Sequence, residues 1–71
     1  MISEEQLKNW FTYHSPEGTQ LTAYQAIRDA GYNLAKTIVD NSPPSADQTA
    51  AIRKVRESVM TANAAIACKG Q

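Results

Sequence analysis

The chain has 71 residues, seven Lys plus Arg against seven Asp plus Glu, 42% hydrophobic and 20% charged residues, and only three Gly and three Pro. So short a chain makes one small domain at most and hides only about 60% of the surface its unfolded form exposes, and its composition is globular rather than disordered or collagen-like. Zero net charge excludes the basic footprint of a protein gripping a long nucleic acid, and the single cysteine, Cys68, excludes an internal disulfide and, with no Cys/His pairing, a zinc-stapled fold.

Ser3 is a good N-cap, Glu4 and Glu5 occupy the first turn where the helix dipole favours negative charge, and Leu7, Trp10 and Phe11 follow at helical spacing. A short first helix is predicted over residues 3 to about 11. The acidic start lacks the basic-then-apolar order of a secretory signal, and no stretch has the length to span a bilayer. A soluble protein of the cytoplasm, without a membrane partner, is expected. The segment from Thr12 to Gly18 reads as a loop, because the residue before Pro16 is pushed out of the helical region and Gly18 tolerates turn dihedrals.

From about Thr19 to Asp40, Tyr24, Ile27, Leu34 and Ile38 fall on a heptad-like row with Gly31 between Ile27 and Leu34, which predicts a long helix with these residues facing its core. Asn41-Ser42-Pro43-Pro44 ends it, and Ser45 with Gln48 reads as a capping box for the next helix. There Ile52, Val55, Val59, Ala62 and Ile66 alternate steps of three and four until Lys69-Gly70. Two helices of roughly 22 residues, about 33 Å each, joined by a short proline turn, form an antiparallel hairpin. The expected fold is therefore all-α, a short N-terminal helix followed by a long antiparallel helical hairpin, with residues 1–71 as a single domain. A lone hairpin has one seam, and its many alanines offer low-profile surface for other helices, so assembly as a homo-oligomer is expected to complete the core.

Little in the chain supports an enzyme. His14 is the only histidine, no nucleophile or paired carboxylate stands beside it by regular spacing, and a phosphodiesterase would lack metal ligands. No catalytic residue, metal or cofactor is expected. The loop segment Phe11-Thr12-Tyr13-His14-Ser15-Pro16 has two readings. Phe11, Tyr13 and His14 could form a platform on which nucleobases stack, or the aromatics could clasp the loop onto the hairpin with His14 a hydrogen-bonded surface residue. Arg28 could bind a phosphate bidentately or pair with Asp29 or Glu17. Arg53, Lys54 and Arg56 point in successive directions and read as a solvated face. Asn63 could read a base edge or bond across a helix interface, and Cys68 reads as an incidental thiol near a frayed end.

Phe11 to Pro16, then Tyr24-Gln25-Ala26-Ile27-Arg28-Asp29-Ala30-Gly31, then Ala51 to Ala67 including Met60-Thr61-Ala62-Asn63-Ala64-Ala65-Ile66-Ala67, occur in one register. Together they closely resemble the small phage-type helical-hairpin proteins that act as anti-CBASS cyclic-nucleotide sponges. The resemblance implies an all-helical homo-oligomer, often a hexamer, that sequesters cyclic dinucleotides without cleaving them and so blocks CBASS signalling in the host cell cytoplasm. Some members of the family also hold cyclic trinucleotides in a separate pocket. By position, Tyr13 matches the base-stacking tyrosine and Arg28 the basic residue that engages the nucleotide. Lys69 is the one candidate for the basic residue associated with the trinucleotide pocket. The alternative from another class is a helical protein–protein interaction module in which the aromatic loop is structural.

Overall fold

Each helix begins where a side chain satisfies some of the first free N–H groups. In the computed structural model, which describes residues 1–70, α1 spans Glu4–Trp10, α2 Gly18–Asn41 and α3 Ala46–Ala67, with no strand among the described residues. At α1 the Ser3 hydroxyl accepts from the Gln6 N–H and the Gln6 side-chain oxygen accepts from the Ser3 N–H, each at 3.1 Å, a reciprocal capping box. At α2 the N–H of the N-cap residue Glu17 donates to Gln20 Oε1 at 2.9 Å.

The box expected at α3 forms only by half. Ser45 Oγ accepts from the Gln48 N–H at 3.1 Å, but Gln48 turns its amide the other way and donates to Ser42 O at 2.9 Å and Ser42 Oγ at 3.1 Å. Ser42 is the C-cap of α2, where the carbonyls have no partner in the helix, so the amide of Gln48 closes the Pro-Pro turn across the two helices.

The hairpin seam consists of half-buried residues: Ala23, Tyr24, Ile27, Gly31, Ala35 and Ile38 on α2, and Ala51, Ile52, Val55, Val59, Ala62 and Ile66 on α3. The two helices approach closely at Gly31, since a Cβ built there would collide with a γ-methyl of Val59. Leu34 does not take the place in the seam that the heptad row gives it. It is 52% exposed, and Ala35 is half-buried instead. At 100° per residue Leu34 stands about 60° to one side of Gly31 and Ala35 about 40° to the other. Close approach at Gly31 favours the smaller side chain, and Leu34 lies at the edge of a shallow groove with Ile27, Ala30, Val55 and Val59.

The end of α3 is closed rather than frayed. Lys69 has φ 55° and Gly70 φ 78°, and this left-handed turn lets the Lys69 N–H donate to Ile66 O at 3.1 Å and the Gly70 N–H to Ala65 O at 2.8 Å. Two carbonyls of the last turn gain donors in this way.

No described residue is buried in the single chain. Its accessible surface is 5725 Å², against about 4,400 Å² for a globular monomer of this mass. The excess of about 1,300 Å² exceeds the roughly 800 Å² that one partner contributes to a standard interface. With extents of 44 × 31 × 15 Å, the chain is one hairpin layer thick along its shortest axis. Leu21, Tyr32, Leu34, Val39 and Met60 all stay exposed on its surfaces.

Candidate functional site

Antiparallel packing places the start of α2 beside the end of α3, and the loop between α1 and α2 lies at that end of the hairpin. The last turn of α3 offers carbonyl acceptors there, and two amide side chains flanking the loop take them up. Gln20 Nε2 donates to Ile66 O at 3.2 Å, and Asn9 Nδ2 donates to Cys68 O at 3.3 Å. The loop from Phe11 to Glu17 is thus strung between two attachments, one on the last turn of α3 and one on its C-cap residue Cys68.

His14 adds a third. Its Nε2 lies 2.7 Å from the backbone carbonyl of Asn9, and because a carbonyl only accepts, Nε2 carries the proton. His14 is half-buried, whereas Tyr13 beside it is 82% exposed and Phe11 83% exposed. The loop therefore turns its imidazole inward and the phenol ring outward. Of the two readings of the aromatic segment, His14 follows the hydrogen-bonded one, while the rings of Tyr13 and Phe11 remain open to solvent and are not a clasp on the hairpin of the single chain. Cys68 Sγ donates weakly to the same Asn9 carbonyl at 3.8 Å.

His14 and Lys69 line one small polar cleft with Asn9, Ala67 and Cys68. The ammonium of Lys69 stands 3.8 Å from a Glu17 carboxylate oxygen, an exposed pair that solvent screens. Arg28 is exposed on α2, and neither partner expected for it is engaged with it. Asp29 accepts from Gln25 Nε2 at 2.7 Å, and Glu17 faces Lys69. Among the described residues Arg28 has no ion pair. The rise from Gly18 to Arg28 is about 15 Å along α2, so the guanidinium is well removed from the loop that carries Tyr13.

Asn63 sits half-buried in the seam with its Oδ1 shut off from solvent and without a hydrogen-bond partner. Its Oδ1 forms no bond across the helix interface in the single chain. Of the six candidate residues, then, the single chain groups His14 with Lys69 and keeps Tyr13 and Phe11 on the same loop, whereas Arg28 and Asn63 belong to separate parts of the hairpin. The sequence reading missed Asn9 and Gln20. Gln20 had a signal, since it stands three residues after the N-cap Glu17, the spacing of a capping interaction. Asn9 had none, because its partner is 59 residues away.

Among the described residues no group of three His, Cys, Asp or Glu side chains could hold a metal ion, and no helix is long and apolar enough to cross a membrane. The site thus has an outward aromatic ring on a fastened loop, with cationic side chains elsewhere on a small helical hairpin. The family model of the Acb2/Tad1 hairpin domain matches residues 3–67, and the chain belongs to that family, the anti-CBASS cyclic-nucleotide sponges. Its members bind cyclic-nucleotide messengers of bacterial defence rather than act as enzymes. No curated relative and no solved structure matches the chain.

Proposed function

We propose that this chain sequesters cyclic dinucleotides without cleaving them, as a homo-oligomer in the host cell cytoplasm, and so withholds the messenger from CBASS effectors. The observation that carries this reading is the outward ring of Tyr13, 82% exposed on a loop fastened at both ends. A stacking platform needs an accessible face held in a fixed direction. Tyr13 stacks on a base with Phe11 beside it, and Arg28, which has no partner among the described residues, engages a phosphate or base edge.

The separation of Tyr13 and Arg28 supports a pocket shared between two subunits. A single hairpin layer 15 Å thick offers little concavity, whereas two subunits placed side by side make a cleft. The surface excess gives the same protomer a reason to assemble, and a hexamer is the assembly that the family resemblance favours. Lys69, on the left-handed turn at the end of α3, is the candidate that the family resemblance offers for a second pocket for cyclic trinucleotides.

The test is to incubate the protein with a cyclic dinucleotide, remove unbound ligand, denature with heat and chromatograph what is released. Intact nucleotide in stoichiometric amount is the expected result. Linear product would indicate an enzyme, and absence of uptake would favour a helical protein–protein interaction module.

A further inference from the structure

The ring of Tyr13 projects from a loop that has no regular structure of its own, so something other than the loop must set its direction. Loop residues 13–16 make no helix or strand bonds. Three long-range attachments of the segment from Asn9 to Gln20 end on the last turn of α3 or just beyond it: Gln20 on Ile66 O, Asn9 on Cys68 O, and Glu17 on Lys69. His14, the residue next to Tyr13, is tied to this frame by its bond to the Asn9 carbonyl. We infer that Asn9, His14 and Gln20 are positioning residues that fix the ligand-binding loop to the C-terminal turn of α3 and thereby aim Tyr13. The ligand part of this inference rests on the proposed role of Tyr13; the fastening itself does not.

The chemistry of the three contacts gives them this role. Carbonyls in the last turn of a helix lack partners within it, so a side-chain amide that reaches them is held firmly and in one direction. Asn9 works in both directions at once, since its side chain donates to α3 while its carbonyl receives the imidazole N–H of His14. Movement of the α3 end is thus passed to His14 and on to the neighbouring ring. His14 acts through hydrogen bonding at Nε2, a position that a glutamine amide reproduces and an alanine does not. Asn9→Asp keeps the size and removes the donor, leaving a carboxylate against the Cys68 carbonyl.

Two readouts test this, one free of ligand. Phe11 and Tyr13 offer chymotrypsin two cleavage positions in the loop, and cleavage of a folded protein follows the population in which the segment opens. His14→Ala and Asn9→Asp should each speed cleavage at these positions about 3- to 10-fold, the effect of one lost hydrogen bond of ordinary strength. Calorimetric titration with a cyclic dinucleotide should show affinity reduced by a similar factor. His14→Gln should restore both to near wild type, and circular dichroism should show the helices of α2 and α3 intact throughout.

Unchanged cleavage rates for both variants would overturn the fastening. Faster cleavage with unchanged affinity, in a protein that Tyr13→Ala weakens, would overturn the aiming of Tyr13. Failure of His14→Gln to restore affinity, with Asn9→Asp harmless, would make His14 a direct ligand contact and overturn its positioning role. A wild-type protein that takes up no cyclic dinucleotide, while the variants are still cleaved faster, would refute the functional reading and uphold the fastening of the loop.

Discussion

Replacing Gly31 by alanine sets two known effects against each other. Alanine in the middle of a helix is favoured over glycine by about 1 kcal/mol. At Gly31, however, the added Cβ meets a γ-methyl of Val59, and Val55 Cγ1 lies 3.9 Å away, so the methyl has no free space. Overpacking of this kind costs about 1–3 kcal/mol. The seam must therefore open or Val59 must leave its position, and the net result is a loss of up to about 2 kcal/mol. For a chain of this size that lowers the melting midpoint by roughly 4–8 °C per kcal/mol.

Val59→Ala supplies the second arm of a cycle. Alone it removes two methyl groups from a half-buried site, a loss of about 1 kcal/mol. Combined with Gly31→Ala it removes the collision, so the helix-propensity gain is recovered and the double variant should melt close to wild type. The expected coupling is about 1–3 kcal/mol. Gly18→Ala is the control, since nothing lies within 4 Å of a Cβ at Gly18, and it should be neutral. Thermal melts of all four variants at one protein concentration decide the matter. A higher midpoint for Gly31→Ala in the wild-type background, or strict additivity with Val59→Ala, would refute the close approach of α2 and α3 at this position.

Three further outcomes are expected. Lys69→Gly should stabilise the end of α3, because a non-glycine residue in the left-handed region costs about 1–2 kcal/mol, while reducing uptake of a cyclic trinucleotide; melting and titration measure the two effects separately. If the proposed homo-oligomer supplies the core that the single chain lacks, melting temperature should rise with protein concentration, and a concentration-independent melt of a helical monomer in sedimentation would contradict this. Arg28→Ala should weaken cyclic-dinucleotide binding and flatten its salt dependence, because a charged contact is screened and a stacked ring is not; equal salt slopes in the two proteins would remove Arg28 from the site.

The helices were legible because their signals are local. Ser3 and Ser45 mark helix starts, the Pro-Pro turn separates α2 from α3, and the steps of three and four from Ile52 to Ile66 give the inward face of α3. Leu34 was misplaced because a heptad row follows hydrophobicity, whereas the seam at Gly31 is set by how closely two backbones approach. The loop was legible as an aromatic segment, but its two-sided character was not. That Tyr13 faces out while His14 faces in depends on the Asn9 carbonyl, and Asn9 is held by a residue at the far end of the chain. Likewise, the pairing of Glu17 with Lys69 instead of Arg28 follows from the antiparallel return of α3, which no local pattern encodes.

The most direct test is calorimetric titration of the wild-type protein and of Tyr13→Ala with a cyclic dinucleotide at fixed salt, with molecular size and helicity checked in parallel. Wild type should bind, and loss of the ring should weaken binding by about 1–3 kcal/mol, roughly 5- to 160-fold, with assembly unchanged. Equal affinity for the two assembled proteins, or no binding by wild type, would contradict a cyclic-dinucleotide sponge built around Tyr13.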